Sequence, residues 1–312
     1  DIFSSVDDSF LKKIQVEKGV MNLTSNKRAK FLLSQIKLSG KVAGGSAANT
    51  IVGLSQLGIA TAYIGKVCDD ELGNFFSDDL IENQVVFKTK KSKVNENYCT
   101  GHCIVLITPD GERTMNTHLG VTEYLSKEDI EKKMLRDCEW LYLEGYRYDG
   151  VDSKSAFAMA INETKKSGGK IALSLSDPFC VERHRKDFID IIKNGVDLVF
   201  CNEHELKSLT HEQNFESALR KSFDFPCDIV CTASSKGAFI QNEDSWSHIP
   251  TKQVQPYDST GAGDLFATGF LFGLIEGVDK YDSGKLGNKF ATAIIQTLGC
   301  RLSRDKMSKL IN

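Results

Sequence analysis

The sequence predicts an α/β fold of three layers, α/β/α, with a mainly parallel central sheet and a small second β-sheet that could act as a lid. Three observations predict it. From about Gly44 onward, apolar strand-like runs alternate with amphipathic helical stretches, the pattern of parallel strands joined by crossover helices. Between 85 and 117 the alternation breaks into short strand-like runs with no helix among them. Two glycine-rich strings, at 44–49 and 258–264, each lead straight into a helix-forming stretch.

Taken in order, the sequence predicts a helix over 47–57 and a strand over 61–65. A strand over 140–143 precedes a helix over 153–166. Strands at 170–174, 198–201 and 229–232 follow, with a helix over 185–194 among them. A long apolar helix covers 263–276, and a last one covers about 286–298. In the irregular region, Cys103-Ile104-Val105-Leu106-Ile107 runs into Pro109-Asp110-Gly111, and Asp-Gly beside strand-like residues signals a hairpin. With 1–7 and 38–43, the stretch 85–117 builds the small sheet, so residues 1–312 form one domain with a discontinuous lid. The plainer alternative is a set of extra edge strands on the main sheet.

A chain of 312 residues buries a large core, and its 41% hydrophobic and 26% charged content is that of a globular protein. Its 39 basic and 42 acidic residues show no polybasic run, which argues against a nucleic-acid partner. No apolar stretch approaches the roughly 18 residues of a membrane span. The nine cysteines include no Cys-x-x-Cys pair and do not cluster with the six histidines. Reduced, buried thiols in a cytoplasmic protein are therefore expected in place of disulfides or zinc. No signal peptide is visible.

The string with the most chemistry is Asp258-Ser259-Thr260-Gly261-Ala262-Gly263-Asp264, followed at once by Leu265-Phe266-Ala267. Small residues let successive backbone N–H groups converge, and the helix that follows adds its positive end, making an anion site suited to phosphate. Asp264 lies beside that site, where a carboxylate accepts the proton of an attacking hydroxyl while the amides stabilise phosphoryl charge. The structural alternative is an aspartate capping a helix behind a glycine turn. The second string, Gly44-Gly45-Ser46-Ala47-Ala48-Asn49, allows a ligand close to the backbone, and Asn49 lies about one turn into the helix with an amide suited to a polyol.

These two strings, in this order, resemble the ribokinase-like carbohydrate kinases, the PfkB family, across nearly the whole chain. No Gly-x-x-x-x-Gly-Lys-Ser/Thr is present, as expected for a family that is not built on a P-loop. The resemblance implies an ATP-dependent phosphotransferase using Mg²⁺ and, in some members, a monovalent cation. It implies Asp264 as base with Gly261, Ala262 and Gly263 as the anion hole, and Gly44, Gly45 and Asn49 as acceptor contacts. Asn202-Glu203-His204-Glu205 looks like the family's Asn-x-x-Glu motif, implying Asn202 and Glu205 near the ATP phosphates, with Glu205 ordering Mg²⁺ through water. The nucleotide loop reads Thr232-Ala233-Ser234-Ser235-Lys236-Gly237, without the family's basic residue and first glycine, leaving Thr232 and Gly237 as nucleotide contacts. Asn288 and Ala291 fall where the family's last helix borders the adenine. Thr268 stands where a very small residue is usual. Asp177, before Pro178, reads equally as a phosphate-facing carboxylate or a turn former.

The N-terminal third resembles the adenosine-kinase branch: Asp1-Ile2-Phe3, Val6-Asp7-Asp8, a helix over 27–35, and the run Thr108-Pro109-Asp110-Gly111-Glu112-Arg113-Thr114. In that register Asp1 matches the aspartate that accepts hydrogen bonds from two ribose hydroxyls. A core strand upstream of Asp1 is expected on the family pattern. The acceptor expected is the primary hydroxyl of a nucleoside, adenosine first, with a sugar kinase acting on ribose, fructose or a ketodeoxy sugar acid as the alternative. A silent nucleotide-binding regulator on the same fold and a dinucleotide-dependent dehydrogenase are the readings from other classes. The first sits poorly with an intact Gly-Ala-Gly-Asp, and the second lacks its Gly-x-Gly-x-x-Gly. A monomer or a homodimer paired through free lid edges is expected.

Overall fold

The computed structural model describes residues 1–95, 98–150 and 152–311. Its central sheet has six strands, in the order Trp246–Ile249, Ala238–Gln241, Asp228–Thr232, Leu198–Asn202, Lys170–Ser174 and Trp140–Glu144. The last four pair in parallel, and the first two are antiparallel additions. The three inner parallel strands are buried on both faces, Trp140–Glu144 at the edge only in part, and the two-residue period of side chains sorts them. Ile171, Leu173, Val199, Cys201, Ile229 and Cys231 pack on one side with Phe188 and Leu206 of the helices Pro178–Gly195 and Glu203–Thr210. Ala172, Leu198, Phe200 and Val230 face the other side, against Leu54, Phe266 and Phe270 of the helices Ser46–Gln56 and Ala262–Ile275. Phe266 and Phe270 are fully buried, and truncating either to alanine would cost about 3–5 kcal/mol.

The second sheet has five strands, ordered Met21–Leu23, Arg113–His118, His102–Ile107, Ile2–Ser5 and Gly40–Lys41. The hairpin at 107–113 forms because Gly111 takes a φ of +84° and Asp110 Oδ1 accepts from Thr108 Oγ1 at 2.6 Å. Ile104 and Leu106 cover Leu11, Ile14, Ala29 and Leu32 of the helices Asp8–Lys13 and Asn26–Gln35. Alternate residues of the same strands, Cys103, Met115 and Thr117, line a large cavity.

Four elements differ from the sequence-based expectation. The helix expected at 185–194 runs over Pro178–Gly195, bent at His184. Asp177 caps it by accepting from the Cys180 N–H at 3.0 Å, and Pro178 fits a first turn that needs no N–H, so Asp-Pro starts a helix here. The final long helix is Lys280–Ile294, shifted toward the N-terminus because Asp279 caps it through the Asp282 N–H at 2.9 Å. Ala62–Tyr63 is a two-residue strand that pairs with Val86–Phe87 outside the six-stranded sheet, and Val86–Phe87 does not join the small one. Met21–Leu23 enters the small sheet without any signal at the sequence level.

Thr268 explains its own departure from the family pattern. Its hydroxyl donates to the carbonyls of Asp264 at 2.9 Å and Thr50 at 3.2 Å, bridging two helices. A Cβ on Gly53 would lie 2.7 Å from the Thr268 methyl. The larger residue on one helix is matched by the missing side chain on the other.

Candidate active site

The cavity, of about 1690 Å³, lies between the small sheet and the C-terminal ends of the parallel strands. Asp1, Gly44, Gly45, Asn49, Asn202, Glu205, Thr232, Gly261, Ala262, Gly263 and Asp264 all line it. Gly237, Asn288 and Ala291 are not among its lining residues. Asn288 is buried and donates to the Ile249 carbonyl at 2.9 Å, tying a helix to a strand end. Ala291 packs on the hydrophobic cluster beneath that side of the sheet. Gly237 has a φ of +92°, and a Cβ there would lie 2.1 Å from the Ile249 carbonyl oxygen, so its demand is backbone shape.

Gly261 is the N-cap of Ala262–Ile275, with a φ of +78° and no side chain to bond the first turn. The first N–H groups of a helix have no intrahelical partner, so an uncapped start leaves donors for an anion at the positive end of the helix dipole. A Cβ on Gly261 would meet Cys300 Cα at 2.9 Å, whereas one on Gly263 would meet nothing within 4 Å. Gly261 thus shapes the turn, and Gly263 leaves the space above the amides open.

Asp264 is the third residue of this helix, half-buried at the cavity wall. Its Oδ1 accepts from Ser46 Oγ at 2.7 Å and its Oδ2 from Asn49 Nδ2 at 2.8 Å. Both donors come from the helix Ser46–Gln56, whose N-cap Gly45 has a φ of +96°. A Cβ on Gly44 would lie 2.9 Å from Asp1 Oδ2, so the bare backbone lets that carboxylate reach the turn. Burial raises the Asp264 pKa above the ordinary carboxylate range, opposed by the Asn49 and Ser46 hydrogen bonds and by the charge of Arg301. Each carboxylate oxygen retains a second lone pair, so the group can still accept a proton.

Asn202 and Glu205 form a buried reciprocal cap. Asn202 Oδ1 accepts from the Glu205 N–H at 2.9 Å, and the Glu205 carboxylate accepts from the Asn202 N–H at 3.0 Å and from Nδ2 at 2.6 Å. Glu205 is 5% exposed, and burial raises its pKa to about 7. Thr232, at the end of the next strand, donates to the Cys201 carbonyl at 3.4 Å.

Four residues of the site carry no assignment from sequence. Ser46 holds Asp264 directly, and its place after the glycine pair is a signal in retrospect. Glu144, at the end of Trp140–Glu144, accepts weakly from the Ala47 N–H at 3.4 Å, and its pKa is raised by burial and by the charge of Asp264, against the pull of Arg147. Arg113 pairs with Asp258 at 2.8 Å. Arg301 donates through Nε to Asn49 Oδ1 at 2.9 Å across 252 positions of sequence, which no local pattern reveals.

The model of the pfkB family of carbohydrate kinases matches residues 27–307. A solved adenosine kinase from Sinorhizobium meliloti is 36% identical, with a TM-score of 0.91 over 100% of this chain and 96% of that one. A probable sugar kinase from Rhizobium etli is also 36% identical, with a TM-score of 0.90 over 100% and 95%. The aminoimidazole riboside kinase of Salmonella typhimurium is 25% identical over 240 residues, 75% of this chain and 74% of its own. With its ribokinase-like fold, this chain belongs to the pfkB family of carbohydrate kinases and is a phosphotransferase.

Proposed function

We propose that the chain transfers the γ-phosphate of ATP to a primary hydroxyl of a nucleoside, adenosine first. The observation that carries this reading is Asp264, a carboxylate held by two donors at the third position of a helix whose glycine N-cap sets no side chain over its first turn. In this reading the acceptor lies between Asp1 and Asp264. Asp1 accepts hydrogen bonds from two ribose hydroxyls, and the Gly44-Gly45 backbone lets the sugar approach. Asp264 takes the proton of the attacking hydroxyl, and the amides of Gly261 and Gly263 would face the phosphoryl oxygens, where fixed donors lower the cost of developing charge, while the Ala262 N–H already meets the Ser259 carbonyl at 3.3 Å.

Asn202 and Glu205 lie at the neighbouring strand end, where Glu205 would hold Mg²⁺ through water. Their buried oxygen-donor chemistry fits a hard, hydrated cation, and the ion would supply charge neutralisation between the phosphate groups. The five-stranded sheet acts as the lid, excluding water so that ATP is not spent on hydrolysis. The cytoplasm is the compartment we assign, consistent with nine cysteines as free thiols. Among the described residues no helix is long and apolar enough to cross a membrane.

A sugar kinase is the second reading, favoured by Glu144. Its half-buried carboxylate at the cavity wall offers a further acceptor for a polyol hydroxyl. A coupled ADP-release screen of adenosine, other nucleosides, ribose, fructose and ketodeoxy sugar acids with Mg-ATP separates the two. Adenosine turnover at the highest kcat/KM is expected; strong turnover of free sugars alone would reject the nucleoside reading.

A further inference from the structure

We propose that Arg301 is a positioning residue for the catalytic base, acting through Asn49 by fixing which end of that amide faces Asp264. The inference rests on the reading of Asp264 as base. An asparagine amide has a donor end and an acceptor end of nearly the same shape, so its orientation is set by what it meets. Arg301 has only donors. Its Nε lies 2.9 Å from Asn49 Oδ1, and Cys300 Sγ lies 3.5 Å from the same oxygen. That contact forces Nδ2 toward Asp264 Oδ2, at 2.8 Å. A flipped amide would set two acceptors against each other, Asn49 Oδ1 against the carboxylate.

Asn49 is 4% exposed, so water does not readily replace either contact. Arg301 is itself anchored by the ion pair of Nη1 with Asp79, on the helix Glu71–Glu82. Its Nη2 is buried with no hydrogen-bond partner among the described residues. A guanidinium kept for structure alone should have its donors satisfied, because an orphaned buried donor costs stability. The groups that face Asp264 are Ser46 and Asn49 on one helix, Tyr142 and Glu144 on a strand, Tyr146 beyond it, and Cys300 and Arg301 on the segment after Lys280–Ile294. Arg301 is the cation of that set. It favours the ionised form of Asp264 in two ways, by its charge and by holding the Asn49 donor in place.

The test is the pH dependence of kcat/KM for the wild type, Arg301→Gln and Arg301→Lys, with the acceptor that gives turnover in the screen above. Arg301→Gln should move the acid limb up by about one pH unit, so that activity falls about tenfold on that limb and by only a few-fold well above it. Arg301→Lys, which keeps a cationic donor, should move the limb back toward the wild type. In an Asn49→Ala background, Arg301→Gln should shift the limb less than it does with Asn49 present. An acid limb that stays in place, with activity falling equally at every pH, would overturn the proposal. So would an equal shift with and without Asn49. If Arg301→Gln does not fold, Asp79→Asn leaves Arg301 in place but unanchored, and carries the same test with a smaller upward shift expected. Asp264→Asn keeps the two readings apart. If that variant stays active, the base assignment fails; if it is inactive while the Arg301 limb is unmoved, only the positioning role fails.

Discussion

Arg113, on a strand of the small sheet, donates through Nη1 to Asp258 Oδ2 at 2.8 Å. Asp258 opens the loop that leads to the helix Ala262–Ile275, so this pair ties the five-stranded sheet to the start of that helix. Asp258 is 6% exposed and also accepts from the Thr260 N–H at 3.0 Å and the Gly299 N–H at 2.8 Å. One carboxylate therefore holds the loop before Ala262–Ile275, the segment leading to Cys300, and the five-stranded sheet.

Arg113→Gln should weaken all three connections, with the lid affected most. The two backbone donors remain, so the cost is that of a charged hydrogen bond, about 1.5–3 kcal/mol, and not of a stranded buried charge. Urea denaturation checks that figure. The ratio of ATP hydrolysis to phosphoryl transfer should rise as lid closure weakens, measured as ADP released per phosphorylated acceptor.

Asp264→Asn should lower kcat roughly 10²–10⁴-fold with little change in KM. It should also stabilise the protein at neutral pH. The folded-state pKa of Asp264 lies above its unfolded value, so the folded state favours the protonated form. The stability this contributes is full below the unfolded pKa and is lost as pH rises through the folded one. The Tm advantage of the variant should accordingly be largest at pH 8 and shrink as pH falls toward the raised pKa. The same shift places the acid limb of the wild-type rate profile above the ordinary carboxylate range, since only ionised Asp264 acts as base.

Two glycines two residues apart should separate folding from chemistry. Gly261→Ala sets a side chain at a φ of +78° and against Cys300, and should cost about 1–3 kcal/mol as well as activity. Gly263→Ala has open space for its methyl and sits in the first turn of the helix, where alanine is favoured over glycine by at most about 1 kcal/mol. It should leave Tm unchanged or raised while increasing KM for ATP, because the methyl occupies the space over the amides. An unchanged KM would mean that phosphate does not lie there.

Gly53 and Thr268 should behave as a coupled pair. Gly53→Ala alone drives its methyl into Thr268, and overpacking of that kind typically costs 1–3 kcal/mol. Thr268→Ala should relieve it, so a thermal-unfolding double-mutant cycle should give a coupling energy on the order of 0.5–3 kcal/mol.

The central layers were legible because parallel strands buried on both faces appear as short apolar runs. Leu198-Val199-Phe200-Cys201 needs no partner to be recognised, and its neighbours at 170–174 and 229–232 follow the same pattern. Helix ends were less legible. Asp177 and Asp279 cap helices that start several residues before the clear periodicity, and a capping carboxylate looks the same in sequence as one in a turn. Met21–Leu23 gave no signal, and the strand read at 61–65 shortened to Ala62–Tyr63 in a separate pair, because both depend on partners distant in the chain.

The glycine turn, the helix it opens and the carboxylate of Asp264 were readable from the chain alone, because they are local features of one short string. Asn202 and Glu205 were paired by their likeness to the family's Asn-x-x-Glu, and the structure added that they cap one another. Only the tertiary structure decided what acts on Asp264. Ser46 and Asn49 arrive from 218 and 215 positions away, and Arg301 reaches Asn49 across 252. Hydrogen bonds across such separations leave no periodicity or spacing in the chain, so they exist only once the layers have packed.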